Sequence, residues 1–128
     1  MNDVSDERAK YLHGQPKDLT VDQKFRLIIR LLRRDFPADI PIKVRRKTAE
    51  EIKRKIFGWC SLANSGKSKS EQYFLITINK SCSWAQQFDT VLHEWAHALT
   101  WNEVEQGKDH SDLFARAFGK LYRTYIED

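Results

Sequence analysis

Two histidines and a glutamate stand together at 93, 94 and 97, in the run His93-Glu94-Trp95-Ala96-His97. On an α-helix, positions four apart lie about 6 Å along the axis and about 40° round it, so the two imidazoles project side by side. Such a pair can converge on one zinc ion through nitrogens about 2.0–2.1 Å from the metal. Glu94 lies about 100° round from His93. At that angle its carboxylate reaches a water on the metal rather than the metal itself, which is the position of a general base. The rival interpretation is an ordinary buried helix. The helical wheel separates the two: Phe88, Val91, Leu92, Trp95, Ala96 and Leu99 form one apolar stripe, and the histidines lie roughly 150° from its centre. Core histidines would sit on the stripe, so a metal site is expected.

A catalytic zinc takes three protein ligands and keeps one position for water. His110 is the candidate third ligand, thirteen residues beyond His97 at the junction of a polar loop and a last helix. Glu103, Glu105, Asp109 and Asp112 are carboxylate rivals in the same stretch. His13 has no such neighbour and is expected to be exposed.

Several elements must position these groups. Thr20 with Gln23 forms a capping-box pattern, and Val21, Phe25, Ile28, Ile29, Leu32 and Phe36 then recur at helical spacing until Pro37. Ile42 and Val44 alternate with basic residues between 41 and 47, as in a half-exposed strand. Residues 56–62 (IFGWCSL) predict a second strand and 73–79 (YFLITIN) the clearest one, joined as a hairpin by a polar turn. The 73–79 strand is expected to be an edge on which an extended peptide lies by β-addition. Ser83 with Gln86 opens the motif helix, which runs to about Trp101. After the loop NEVEQGKDH, Ser111 caps a last helix with Phe114, Ala117, Phe118, Leu121 and Tyr125 inward. Arg116, Tyr122 and Tyr125 are candidate oxyanion donors. Helix, small sheet, two helices is an α+β order, with a polar arm over 1–18 and one domain over 19–128.

The chain has 128 residues, 41% hydrophobic and 31% charged, a globular balance that leaves little room for disorder. No run approaches the roughly 20 apolar residues that span a bilayer. The start, MNDVSDERAKYLHGQPKD, lacks the apolar core of a secretory signal. Cys60 and Cys82 have no metal-type spacing, and a reduced pair in a cytoplasm is expected. The net charge of +4 conceals an asymmetry. Residues 24–55 hold twelve basic and four acidic side chains, whereas 89–128 hold four basic and eight acidic. The basic half suits a polyanion, and Arg33, Arg34, Lys43, Arg45, Arg46 and Lys47 are its candidate nucleic-acid contacts, to phosphate rather than to base edges. Trp59 is either core or a stacking residue for an unpaired base.

HEWAHAL, a polar loop and HSDLFARAF together resemble the SprT-like (Spartan-type) zinc metalloproteases, over about residues 20–126. In that family a His-Glu-x-x-His helix is followed by a loop and a His-Gly-x-x-Phe segment. His110 and Phe114 match its His and Phe, and Ser111 stands where glycine is usual. The resemblance implies a zincin-like minimal domain, with zinc held by His93, His97 and His110 and Glu94 as the base. It further implies proteolysis of proteins on or near DNA. The expectation is a monomeric zinc endopeptidase with a protein substrate, DNA contact through the basic half and no membrane. Its alternative is a non-catalytic zinc-containing module that binds nucleic acid or protein. A structural zinc wants four protein ligands, usually including cysteines, and has no use for Glu94. Hydrolysis of a non-peptide bond would use the same parts.

Overall fold

The computed structural model describes residues 19–101 and 112–126. The arm over 1–18 and the loop carrying Glu103, Glu105, Asp109, His110 and Ser111 lie outside the described residues. Helix α1 spans Val21–Asp35. Thr20 Oγ1 accepts from Gln23 N at 3.1 Å, and Gln23 Oε1 accepts from Thr20 N at 2.8 Å. This reciprocal pair satisfies two amides that a helix start leaves over. Leu27 and Leu31 join Phe25, Ile28, Ile29 and Leu32 in the core, a wider stripe than the spacing suggests, while Val21 is exposed.

Strands β1 (Ile42–Lys47), β2 (Gly58–Ala63) and β3 (Tyr73–Asn79) form one mixed sheet in the order β1-β3-β2. β2 and β3 make the expected antiparallel hairpin, and β1 pairs with β3 in parallel. The expectation that 73–79 is an edge is therefore wrong: β3 is the central strand. A strand flanked on both sides loses solvent from both edges, and Ile76, Thr77 and Ile78 are fully buried. The edges are β1 and β2.

Between β1 and β2 lies a short helix absent from the sequence expectations, α2 (Ala49–Ile52), with its own Thr48/Glu51 capping box and a left-handed Lys53 at its end. The connection crosses the end of β3, where Asn79 N donates to Phe57 O at 2.8 Å and Asn79 Nδ2 to Ile56 O at 3.1 Å.

Side chains alternate across a sheet. The even-numbered positions Ile42, Phe74, Ile76 and Ile78 are buried in the core, and Val44, Cys60 and Leu62 pack against it. Helices α1 and α3 (Trp84–Leu99) lie on that face. Gly58 makes the approach possible, since a Cβ there would stand 2.6 Å from Thr77 O and 2.9 Å from Thr90 Cγ2 of α3. Helix α3 begins at the Ser83/Gln86 capping box as expected and stops two residues before Trp101. Buried Gln87 fixes its first turns, donating to Cys82 O at 2.8 Å and accepting from Arg46 Nε at 3.1 Å. Trp95 Nε1 donates to Phe36 O at 2.9 Å, tying the middle of α3 to the end of α1.

Helix α4 (Asp112–Tyr125) packs on α3. Its far end is anchored by Tyr125, whose hydroxyl bonds Leu31 O at 3.2 Å and Asp35 Oδ2 at 2.8 Å. The architecture is α+β, with four α-helices and a three-stranded mixed sheet among the described residues. No described helix is long and apolar enough to cross a membrane.

Candidate metal centre

Helix α3 is buried nearly all round, because it has two partners. Its apolar stripe meets the sheet, as the wheel predicts. The histidines point the other way, into the contact with α4. Phe114 covers both rings, with centroids 5.0 Å from His93 and 4.3 Å from His97, the latter stacked at 29°. Phe118 reaches His93 at 5.6 Å. His97 is buried, with Nδ1 shut off from solvent, and His93 is half-buried.

The two imidazole centroids are 4.9 Å apart. Two imidazoles on one tetrahedral zinc, each with a nitrogen about 2.0–2.1 Å from the metal, have centres roughly 5 Å apart. The observed ring separation matches that spacing. Among the described residues no group of three His, Cys, Asp or Glu gathers to hold a metal. Asp112, a rival third ligand, opens α4 in an exposed position. The other candidates, His110, Glu103, Glu105 and Asp109, lie outside the described residues.

Glu94 lies within electrostatic reach of β2. It is buried, and burial pushes its carboxyl up to about 7. Cys60 of β2 is close enough for the Glu94 charge to act on it. Burial chiefly, and that charge second, push its thiol up to about 12. Cys60 is thus a neutral thiol at physiological pH in the metal-free chain. Both cysteines are free thiols. The neighbourhood of Cys60 and Glu94 has no signal in the sequence, because 34 positions separate the two.

The raised carboxyl pKa makes a prediction for the metal-free protein. The folded chain holds this proton more tightly than the unfolded chain does. The resulting stabilisation is full below about pH 4.5 and is lost as pH rises through about 7. The loss is about 3 kcal/mol. Urea unfolding of chelator-treated protein at pH 5 and pH 8 should show it, and Glu94→Gln should remove most of the difference. An identical pH response in the variant would place the burial cost elsewhere.

Two other expectations change. Tyr125 is committed to α1 through its hydroxyl and is fully buried, so it is no oxyanion donor. Tyr122 is half-buried beside Phe118 at 6.1 Å, and Arg116 is exposed on α4. The six basic candidates divide by side. Arg33 donates to Ile42 O at 2.9 Å, and Arg34 pairs with Asp35 at 2.7 Å. Arg46 turns to the helix side, bonding Gln87 and Asp22 and lying 4.8 Å over Phe25. Lys43, Arg45 and Lys47 occupy the opposite face of the sheet by alternation.

No protein-family model, curated protein or solved structure matches this chain.

Proposed function

We propose that this chain is a zinc-dependent endopeptidase of zincin-like design, and that the carrying observation is the pair of imidazoles 4.9 Å apart beside a buried carboxyl. His93 and His97 would hold the metal from one helix face, with His110 as the third ligand. When bound, zinc acts as a Lewis acid that makes water acidic enough to lose a proton near neutral pH. Glu94 would take a proton from the attacking water on its carboxylate as the water oxygen adds to the peptide carbonyl carbon. It then returns the proton to the amine nitrogen as the C–N bond breaks. Burial raises the carboxyl of Glu94 in the metal-free chain, and a general base works best with a pKa near the operating pH.

The substrate would lie along β2 rather than β3. β2 is an edge, and its Cys60 neighbours Glu94. An extended peptide added to that edge would take main-chain hydrogen bonds from β2 and pass the base. Proteins bound to DNA are the substrate class that the SprT-like resemblance suggests. A structural zinc has no use for a general base beside it, and the buried Glu94 next to the histidines favours this reading over a structural zinc module.

Metal content is the direct test. Purified protein should carry about one zinc per chain, and His97→Ala should lose it by elemental analysis. His110→Ala should weaken zinc binding, with an unchanged affinity moving the third ligand to a carboxylate. Full zinc retention by His97→Ala would sink the proposal.

A further inference from the structure

Strand β1 is an edge, with β3 on one side and no described strand on the other. Its peptide groups alternate between the two sides. Pro41 O accepts from Phe74 N at 2.8 Å and Lys47 O from Lys80 N at 2.9 Å, so the odd-numbered groups face β3. Those of Ile42, Val44 and Arg46 therefore face outward. Helix α1 runs past this outer edge, and the Arg33 guanidinium reaches from it to donate to Ile42 O at 2.9 Å. Next to that bond, the N–H and C=O of Val44 and Arg46 form a short template for one more strand.

A groove of about 330 Å³ lies between α1 and this edge, lined by Phe25, Arg26, Ile29, Arg30, Arg33 and Val44. Ligand pockets commonly have volumes of about 300–1,000 Å³. The floor of the groove is apolar and its rim is arginine. The strand beside it, IKVRRK, holds no acid. Both acids of α1 are already matched, Asp22 by Arg46, and Asp35 by Arg34 and the Tyr125 hydroxyl. Cations on an edge strand commonly keep other strands away. An edge that only repels has no need of an apolar groove along it, and this one has both.

We infer that the outer edge of β1 and the adjoining groove bind an extended acidic peptide of a partner protein, added to the sheet as a further strand. The peptide main chain bonds the outward groups of Val44 and Arg46. Alternation then divides its side chains between two faces. On the helix side, an apolar side chain enters the groove over Phe25, Ile29 and Val44, flanked by Arg26 and Arg33. On the other side, carboxylates meet Lys43 and Arg45. Arg45 Nε donates to Thr77 Oγ1 at 2.7 Å, which fixes the guanidinium and leaves its terminal nitrogens to grip a carboxylate. The recognised pattern is therefore acidic residues alternating with apolar ones. A nucleic acid would use the cations but neither the outward amides nor the apolar floor. The site goes beyond the endopeptidase reading: it uses no residue of the His-Glu motif and lies on the edge opposite β2.

Fluorescence anisotropy of the full chain with a short labelled peptide, in which Glu alternates with Val and Phe, tests the inference. N-methylation of one alternate set of its amides removes the main-chain bonds to β1 and should weaken binding by about tenfold or more. Methylation of the other set, whose amides point away from β1, should leave binding unchanged. Arg26→Glu, at an exposed position on the rim, should weaken binding by about fivefold or more. Lys120→Glu, the same charge reversal at an exposed position of α4, should have no effect. Glu94→Gln should bind the peptide like the parent, so failure here is distinct from failure of the endopeptidase reading. No binding at low salt, indifference to methylation of either set, or full affinity in Arg26→Glu would overturn the inference. Displacement by oligo-dT as effective as by unlabelled peptide would reassign the cations to nucleic acid. Self-association of the full chain that Arg26→Glu abolishes would give the edge to a second copy instead.

Discussion

Glu94→Gln is expected to cut hydrolysis of an unstructured protein such as casein by about 10²–10⁴-fold, the usual contribution of a positioned general base. Gln has the size and helix propensity of Glu but cannot accept the proton. The position is buried within α3, so an isosteric change leaves the packing against β2 intact. Two accompanying results distinguish lost chemistry from lost structure. Zinc content should stay at the wild-type value, since Glu94 is not a ligand in this reading. Stability of the metal-free protein at pH 8 should rise, because the variant no longer buries a charge. A variant that is inactive, zinc-replete and more stable at alkaline pH is hard to obtain by any route except removal of the base. Equal casein cleavage by the variant and wild type would remove Glu94 from the mechanism.

The parts of this fold that are local were legible in the sequence. Capping boxes at Thr20/Gln23 and Ser83/Gln86 mark helix starts because the bonds that make them span three residues. The same signature at Thr48/Glu51 was equally available. It signals only weakly because the helix it opens is a single turn embedded in a basic stretch. The His-Glu motif is likewise local, its geometry fixed by 3.6 residues per turn. Strand order is not local. Residues 73–79 form a nearly continuous apolar run, and such runs are typical of strands buried on both faces. The continuity of that run, more than its β-propensity, is what marks β3 as the middle strand.

The side on which Trp59 points was decidable in principle from the alternation of IFGWCSL, once Cys60 and Leu62 are recognised as the inward pair. What no local pattern contains is the contact between α3 and α4. The apolar stripe of α3 predicted one buried face, whereas the helix has two. The second is built from Phe114 and Phe118, whose own stripe gives an inward face but not its partner. The candidate site thus combines a legible core, the His-Glu motif, with an illegible surround, Cys60 on one side and Phe114 on the other.

Phe114→Ala is the variant expected to show how much that surround matters. The ring is 6% exposed and lies against His93, His97 and Phe118. Truncating a buried phenylalanine costs about 3–5 kcal/mol, part of it for the cavity left behind. Here the cavity would open beside the two imidazoles, at the only described side of α3 on which they pack against another helix. Rings that lose a stacked neighbour at 4.3 Å gain rotamer freedom, and a metal must then order them at its own expense. Groups that orient ligands without touching the metal typically change its affinity by about 10–100-fold. Zinc affinity, measured by competition with a chromophoric chelator, should therefore fall by about that factor. Phe114→Leu keeps most of the volume while removing the flat stacking surface, so it should hold the fold yet still lose affinity. Urea unfolding of both variants in chelator gives the stability change separately from the metal. If Phe114→Leu folds like the parent and binds zinc equally well, Phe114 is only core, and the orientation of His93 and His97 comes from helix α3 alone.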